Sequence, residues 1–226
     1  MLPQSSYAQN ASVMPKLQVQ QVPDGFLIYD KAKRSTQAII IIIFAVAWNA
    51  ISCPLFFLLQ RESRASILAT ILPLIFFIIG LLVFVLAIYT ILQLYLFRPG
   101  SLHVPRLPLR LGETVPVRFQ QSTRSLISVQ QLEARLACLE WVRYTVGTDT
   151  RTATHILWEQ PLENQPLFSN SNGVDRQWMI HVSPQLPPSF DSSNNAIKWI
   201  IEVKVKARWI KGTSEFTLPV LPEVVQ

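Results

Sequence analysis

Two long runs without a charged residue dominate the first half of the sequence. The first extends from Ser35 to Gln60 and the second from Ala65 to Phe97. Each exceeds the about 20 residues that an α-helix needs to cross the hydrocarbon core of a bilayer. The residues between the runs, Arg61-Glu62-Ser63-Arg64, are mostly charged and are costly to place in lipid. The sequence therefore predicts a transmembrane helical hairpin at residues 35–98, with spans at about residues 36–59 and 67–97.

The composition favours the same class of protein. Half of the residues are apolar and 15% are charged, whereas soluble domains carry about 25% charged residues. The net charge is +6, but no dense run of lysine and arginine marks a nucleic-acid-binding face. The first apolar run begins too late and is too long for a cleaved signal peptide. We therefore expect the lipid bilayer as a partner, no nucleic acid, and a first helix that remains as an anchor.

The charges that flank the two runs predict the orientation of the hairpin. Short cytoplasmic segments of membrane proteins carry an excess of lysine and arginine. The basic residues outside the hairpin outnumber those in its connecting turn: Lys31, Lys33, Arg34, Arg98, Arg106 and Arg110 against Arg61 and Arg64. We therefore expect a multi-pass protein of the cell membrane, of the bacterial inner-membrane type, with both termini in the cytoplasm.

The segments on either side of the hairpin differ in character. Residues 1–15 are rich in serine, glutamine and asparagine, which is typical of a disordered tail. Residues 16–34 contain two short apolar stretches around Pro23-Asp24-Gly25, a turn sequence, and this predicts a short β-hairpin before the membrane. Residues 99–226 contain short alternating segments separated by turn residues, which predicts a β domain.

One strand of this domain is especially clear in the sequence. From Ala196 to Trp209 apolar residues alternate with polar ones, so that one face is buried and the other is wet. The alternation predicts that Trp209 lies in the buried row, and Gly212 is expected to turn the chain into a last strand. Phe97, at the end of the second run, is expected in the aromatic belt at the membrane interface. The predicted fold class is α+β, a two-helix transmembrane hairpin followed by a C-terminal antiparallel β-sandwich.

This layout resembles a group of bacterial two-helix membrane proteins whose C-terminal domain is a β-sandwich, loosely similar to arrestin. The resemblance is carried by Trp48-Asn49 in the first span, by residues Ile197 to Val203, and by Phe216-Thr217-Leu218-Pro219-Val220. It implies the architecture and a membrane location. The group has no established activity, so the resemblance implies no site residue and no cofactor.

The residue types that carry chemistry do not form a recognisable motif. His103, His155 and His181 are far apart in the sequence, and no Cys-x-x-Cys pair or phosphate-binding glycine loop occurs. We expect no cofactor, no metal and no catalytic residue. The alternative is a membrane-anchored hydrolase, which requires Cys138 beside a histidine or an acidic pair such as Glu133 with Glu140 or Glu202.

The polar residues inside the two spans predict contacts between helices. Asn49 and Gln93 are costly in lipid unless they are paired, and Gly80 offers a position of close approach. We expect these three residues at the helix–helix interface. The sequence leaves open a homo-oligomer and, as a further alternative, an accessory subunit of a small transporter or channel.

A row of basic residues on the clear strand is the remaining candidate site. Lys198, Lys204, Lys206 and Arg208 are predicted to share the wet face. Such a row suits an anionic membrane surface or an acidic partner, although alternating polar residues are also typical of any half-exposed strand. The functional expectation is a non-enzymatic membrane protein whose tethered β-sandwich serves protein–protein interaction or assembly, with a partner that the sequence does not identify.

Overall fold

The computed structural model describes residues 19–30, 33–60, 67–124, 128–166 and 173–223. The tail expected at residues 1–15 and the turn at residues 61–64 lie outside these ranges. The chain divides into two compact units, a helical unit of residues 32–96 and a β unit of residues 1–31 and 97–226. The predicted fold class, two long apolar helices with an antiparallel β-sandwich, is confirmed.

The helical unit consists of two long helices, α1 (Lys33–Gln60) and α2 (Ile67–Leu96). Each contains a stretch that is long and apolar enough to cross a membrane, Ala38–Leu58 in α1 and Ile71–Leu96 in α2. Most side chains of these stretches are exposed instead of being packed in a core, as Ile51 shows with an exposed fraction of 72%. The helices therefore carry far more exposed apolar surface than a soluble domain ordinarily tolerates.

The strands of the β unit are β1 (Val19–Val22), β2 (Gly25–Tyr29), β3 (Ser101–Val104), β4 (Leu109–Arg110), β5 (Thr114–Ser122), β6 (Gln131–Val146), β7 (Asp149–Pro166), β8 (Gly173–His181), β9 (Phe190–Asp191), β10 (Asn195–Ala207), β11 (Ile210–Leu218) and β12 (Val220–Leu221). Sheet 1 has the order β1-β2-β3-β5-β8, and sheet 2 has the order β11-β10-β6-β7, with β9 beside β10. Both sheets are antiparallel, whereas the short pair β4 and β12 is parallel.

The two sheets enclose one apolar core. Phe119 of sheet 1 and Phe216 of sheet 2 meet edge to face, with ring centroids 5.9 Å apart. Trp199 is fully buried, and its indole N–H donates to the backbone oxygen of Pro187 at 3.0 Å. A polar link joins the two sheets where the indole of Trp178 on β8 donates to Glu163 on β7 at 2.8 Å. The alternating buried positions of β5, β10 and β11 contribute further side chains to this core.

The N-terminal hairpin forms part of the sandwich, which differs from the division predicted from the sequence. The turn at Pro23-Asp24 joins β1 to β2 as expected, but β2 also pairs with β3, and Tyr29 lies opposite Ser101. Buried Ile28 contributes to the core. The helical unit is therefore an insertion between two neighbouring strands of one sheet.

Two aromatic residues lie elsewhere than predicted. Phe97 belongs to the β unit, where it forms a bridge with Thr123 and is only 4% exposed. Trp209 lies in the two-residue turn between β10 and β11, with an exposed fraction of 62%. Arg208 makes this turn with a φ of 53°, so Gly212, which was predicted to make it, lies within β11 instead.

Candidate interaction surfaces

The first candidate is the outer edge of β7, the last strand of sheet 2. Within the described residues β7 pairs only with β6, so the backbone groups on its other side have no strand partner. β7 has 18 residues, against 9 in each of the edge strands β8 and β11 and 4 in β1. A long unpaired edge is a template for the addition of another strand.

The two halves of this edge differ in regularity. Register shifts interrupt the pairing of β6 with β7 opposite Ala134/Arg135 and Cys138/Leu139. Residues 149–156 lie beyond both irregularities and pair one to one with β6. Bulges and proline protect an edge against pairing, and both occur only in the half that contains Pro161. We call residues 149–156 the free edge.

Apolar side chains lie beside the free edge. Ile156 is 52% exposed and lies opposite Leu139, while half-buried Trp141 lies opposite Thr154. The guanidinium of Arg143 lies over the Trp141 ring at 5.2 Å from its centroid. An added strand would therefore contact these apolar side chains in addition to forming backbone hydrogen bonds. Such side-chain contacts are the usual source of specificity in strand addition.

The predicted basic row does not form a continuous positive surface. Glu202 lies between Lys198 and Lys204 on β10, and its carboxylate is 3.5 Å from the Lys204 ammonium. Arg135 of β6 donates to Glu202 and to Glu159, each at 2.6 Å. The hydrogen bonds that Arg135 donates to these two carboxylates hold its guanidinium in place. The outer face of sheet 2 is therefore a mixed-charge network around Lys204, while Arg208 belongs to the turn.

One end of the β unit carries both of its connections to the helices, and we call it the linker end. Asp30 and Phe97, which lead to α1 and from α2, lie here, and the N–H of Asp30 donates to the carbonyl of Gly100 at 3.1 Å. The ring of Phe97 lies against Gly212. The turn with Arg208 and Trp209 lies at the same end, and the turn of Gly147 and Thr148 between β6 and β7 lies at the opposite, distal end.

A cavity of about 680 Å³ opens at the linker end, lined by residues of β5 and β8 together with Pro99, Ser101 and Val129. Asp175 on its wall accepts hydrogen bonds from Arg118 at 2.9 and 2.6 Å and from Gln120 at 3.0 Å. The hydrogen bond from Arg118 lowers the pKa of Asp175. The carboxylate is therefore held as a paired anion, which makes it a poor proton acceptor.

Of the residues required by the hydrolase alternative, Glu133 and Glu202 lie on neighbouring strands, opposite Lys204 and Arg135, and the others lie elsewhere in the β unit. Cys138 is fully buried, its cross-strand neighbours are Trp158 and Trp199, and burial raises the pKa of its thiol to about 11. His181 pairs with the hydroxyl of Thr114 at 3.0 Å, on another sheet. Glu133 accepts a hydrogen bond from Gln131 at 3.0 Å, and Glu140 lies opposite His155.

No three histidine, cysteine or carboxylate side chains come together as a metal site within the part of the chain that the structure describes.

In the helical unit the structure brings two of the predicted packing residues together. The amide of Asn49 on α1 donates to the carbonyl of Gly80 on α2 at 3.1 Å, and also to Ala45 at 2.8 Å. The indole of Trp48 donates to the carbonyl of Phe76 at 3.2 Å. A Cβ at Gly80 would lie 3.0 to 3.1 Å from side-chain atoms of Trp48, Asn49 and Ser52. Gln93 lies on α2 and is half-buried.

Sequence reasoning missed the free edge and the exposed Trp209. The turn at Val146-Gly147-Thr148-Asp149 predicts that Thr150 to Trp158 runs back as a strand, but edge position depends on the strand order, which no local pattern contains. Trp209 continues the alternation of β10 after Ala207, so no local pattern marks it as an exposed turn residue.

Comparison with known proteins adds little beyond this architecture. No protein-family model matches the sequence, and no curated protein matches it. Among solved structures, the chain is similar to the crystal structure of Spo0M, a sporulation control protein from Bacillus subtilis, with a TM-score of 0.42 and 8% sequence identity. The similarity covers 55% of this chain and 49% of Spo0M, so the chain spans about half the length of that protein. Membership of a bacterial two-helix family stays a prediction.

Proposed function

We propose that this chain is a non-enzymatic integral membrane protein whose β-sandwich binds an extended segment of a partner protein by strand addition. The two helices anchor the sandwich, and the free edge of β7 receives the partner strand. The observation that carries this proposal is the regular, exposed, unpaired edge at residues 149–156.

The helices and their insertion point support the anchor. Both helices expose apolar side chains along stretches of 21 and 26 residues, and burial of such surface in lipid removes the cost of its contact with water. The insertion lies between β2 and β3, so the chain must return to the side from which it left. This requires an even number of crossings, which two spanning helices provide, and the basic flanks favour the cytoplasm for that side.

The free edge supports a polypeptide as the partner. The backbone N–H and C=O groups of an open edge can pair with any extended chain. The side chains beside the edge determine which extended chains bind. Ile156, Leu139 and Trp141 provide the apolar part of that selection. The fitting partner is an extended segment with alternating apolar residues, from another membrane-associated protein or from a second copy of this chain.

Site-specific photocrosslinking in membranes tests strand addition. A photoreactive amino acid at Thr154, which is exposed on the free edge, is expected to form one discrete adduct. Ile156→Lys should abolish the adduct, because an edge lysine opposes strand pairing. The matched control is Met179→Lys, a substitution at a 60% exposed apolar residue on β8, and it should leave the adduct unchanged.

The mass of the adduct then identifies the partner. An adduct of twice the 25.7 kDa of this chain would show a homo-oligomer formed through β7, and any other discrete mass would show a different protein. Absence of an adduct, or equal loss in Ile156→Lys and Met179→Lys, would refute strand addition at β7. Neither variant should alter the free energy of unfolding by more than about 0.5 kcal/mol, since both residues are exposed.

A further inference from the structure

The exposed turn between β10 and β11 has no role in the binding of a partner at the free edge. Arg208 and Trp209 occupy its two positions, and the turn is fixed by a hydrogen bond from the N–H of Arg208 to the side chain of Gln130 at 3.0 Å. A tryptophan that is 62% exposed on a well-defined turn is costly in water. Something apolar is therefore expected to receive this side chain.

The position of the turn indicates what receives it. Gly212 of β11 comes three residues after Trp209 and lies against Phe97. Phe97 directly follows the last residue of α2. On the other connection only two residues separate Asp30 from the first residue of α1. The turn thus belongs to the end of the β unit that is tied to both helices by very short links. Short links give a surface at that end a high effective concentration next to the bilayer.

The charge of the linker end fits an anionic surface. Its exposed cations are Arg98, Arg124, Arg208 and Lys211. The acidic side chains at the same end are half-buried Asp30, exposed Glu215, and Asp175, whose carboxylate is paired with Arg118. Asp30 accepts a hydrogen bond from the Glu215 N–H at 3.4 Å. Cations outnumber carboxylates, and each cation near an anionic leaflet adds attraction. Tryptophan is the side chain most enriched at the level of lipid headgroups, together with tyrosine.

We propose that the linker end docks on the anionic surface of the bilayer that holds the helices, with Trp209 at the level of the headgroups and Arg208 and Lys211 on lipid phosphates. This inference rests on the proposed membrane anchor. Docking fixes the orientation of the β unit, so that the free edge of β7 and the distal turn at Gly147 point away from the lipid and remain accessible to a partner.

Fluorescence quenching in vesicles tests the docking. The full chain, with Cys53→Ala, is labelled at Thr213→Cys, an exposed position near the turn that leaves Trp209 in place. The matched label is at Thr148→Cys, an exposed residue of the distal turn. The vesicles consist of phosphatidylcholine alone or of phosphatidylcholine with phosphatidylglycerol, and they contain a lipid with a nitroxide on its headgroup. Buried Cys138 is expected to remain unlabelled in both samples.

Docking predicts quenching of the label at residue 213 and none at residue 148, with more quenching when phosphatidylglycerol is present. Trp209→Ser should lower quenching at residue 213. Arg208→Gln should lower the ratio of docked to undocked molecules about fivefold in anionic vesicles, the contribution of one cation near such a surface. Arg151→Gln on the distal part of β7, also at an exposed arginine, should have no effect.

Flotation of the same vesicles separates failure of docking from failure of the anchor. If the chain floats with the vesicles but the labels at residues 213 and 148 are equally unquenched, the anchor stands and the docking is refuted. If the chain does not float, both the anchor and the docking are refuted. Quenching at residue 213 that is insensitive to Trp209→Ser and to Arg208→Gln would also refute the docking through this turn.

Discussion

At the scale of single residues, the glycine of β11, Gly212, is explained by the space it leaves for a neighbouring side chain and not by the freedom of its backbone. Gly212 was predicted to form a turn, but Arg208 adopts the positive φ at that turn. A Cβ at Gly212 would lie 2.9 to 3.2 Å from the ring atoms of Phe97. The glycine therefore makes room for the buried ring of Phe97, which belongs to the β unit. Local sequence shows the glycine but not the distant ring it accommodates.

Gly212→Ala should destabilise the β unit by about 1–3 kcal/mol, the usual cost of overpacking a close contact. The contact involves Cγ of Phe97, close to the backbone, so the ring cannot simply swing aside. Denaturant unfolding followed by tryptophan fluorescence measures the effect. Thr213→Ala, at the exposed neighbouring position, should change the free energy of unfolding much less, and equal effects of the two variants would contradict the contact.

Cys138 should be unreactive in the folded protein. Burial raises the pKa of its thiol from 9.0 to about 11, and only the thiolate reacts with iodoacetamide. In the Cys53→Ala variant, alkylation at neutral pH should occur only after unfolding. Rapid alkylation of the folded chain would revive the hydrolase alternative.

The same shift makes stability depend on pH. The folded pKa of Cys138 lies above the unfolded value, so the neutral thiol contributes its full stability below about pH 9. This contribution is lost as the pH rises toward 11. The free energy of unfolding should therefore fall over this range by more in the parent chain than in Cys138→Ala, and parallel pH profiles would contradict the effect.

At the scale of the elements, the sequence predicts what is periodic and misses what depends on distant pairing. The boundaries of α1 and α2 follow from two uncharged runs, and the pattern of β10 shows in its own alternation. In β6, Leu132, Ala134 and Leu136 share one face and Leu139 and Trp141 follow out of phase, a pattern that predicts a bulge. The irregularity lies opposite Cys138 and Leu139, with the extra residue, Leu157, on β7. The pairing of β2 with β3 joins segments separated by both helices, and no local pattern predicts it.

The contact between α1 and α2 gives a prediction at this scale. Asn49→Leu removes the hydrogen bond to Gly80 without a large change of volume. Hydrogen bonds between membrane helices contribute about 0.6 to 1.7 kcal/mol, so the variant should lower the stability of the helical unit in detergent by that amount. Ile51→Leu, at a position that is 72% exposed, is the matched control and should have little effect. Equal stability of Asn49→Leu and the parent chain would contradict a role of Asn49 in helix packing.

At the scale of the whole molecule, the two helices separate β2 from β3 in the sequence, yet these two strands pair in one sheet. The N-terminal hairpin and the C-terminal strands form a single sandwich, so its core is complete only after both helices have been synthesised. With the proposed membrane anchor, the same connectivity requires the free edge of β7 and the N-terminal hairpin to lie on one side of the membrane. The candidate site could be predicted from the sequence only as a half-exposed strand, because its edge position is a property of the complete sheet.

The most direct test is the sidedness of three introduced cysteines in the Cys53→Ala chain, labelled with a membrane-impermeant reagent in intact cells. The positions are Gln21 in β1, Thr148 at the distal turn, and Ser63 between the helices. We predict that Ser63→Cys reacts in intact cells, whereas Gln21→Cys and Thr148→Cys react together and only after permeabilisation. Labelling of Gln21→Cys and Thr148→Cys from opposite sides, or of all three from one side, would contradict a sandwich anchored by two membrane-spanning helices.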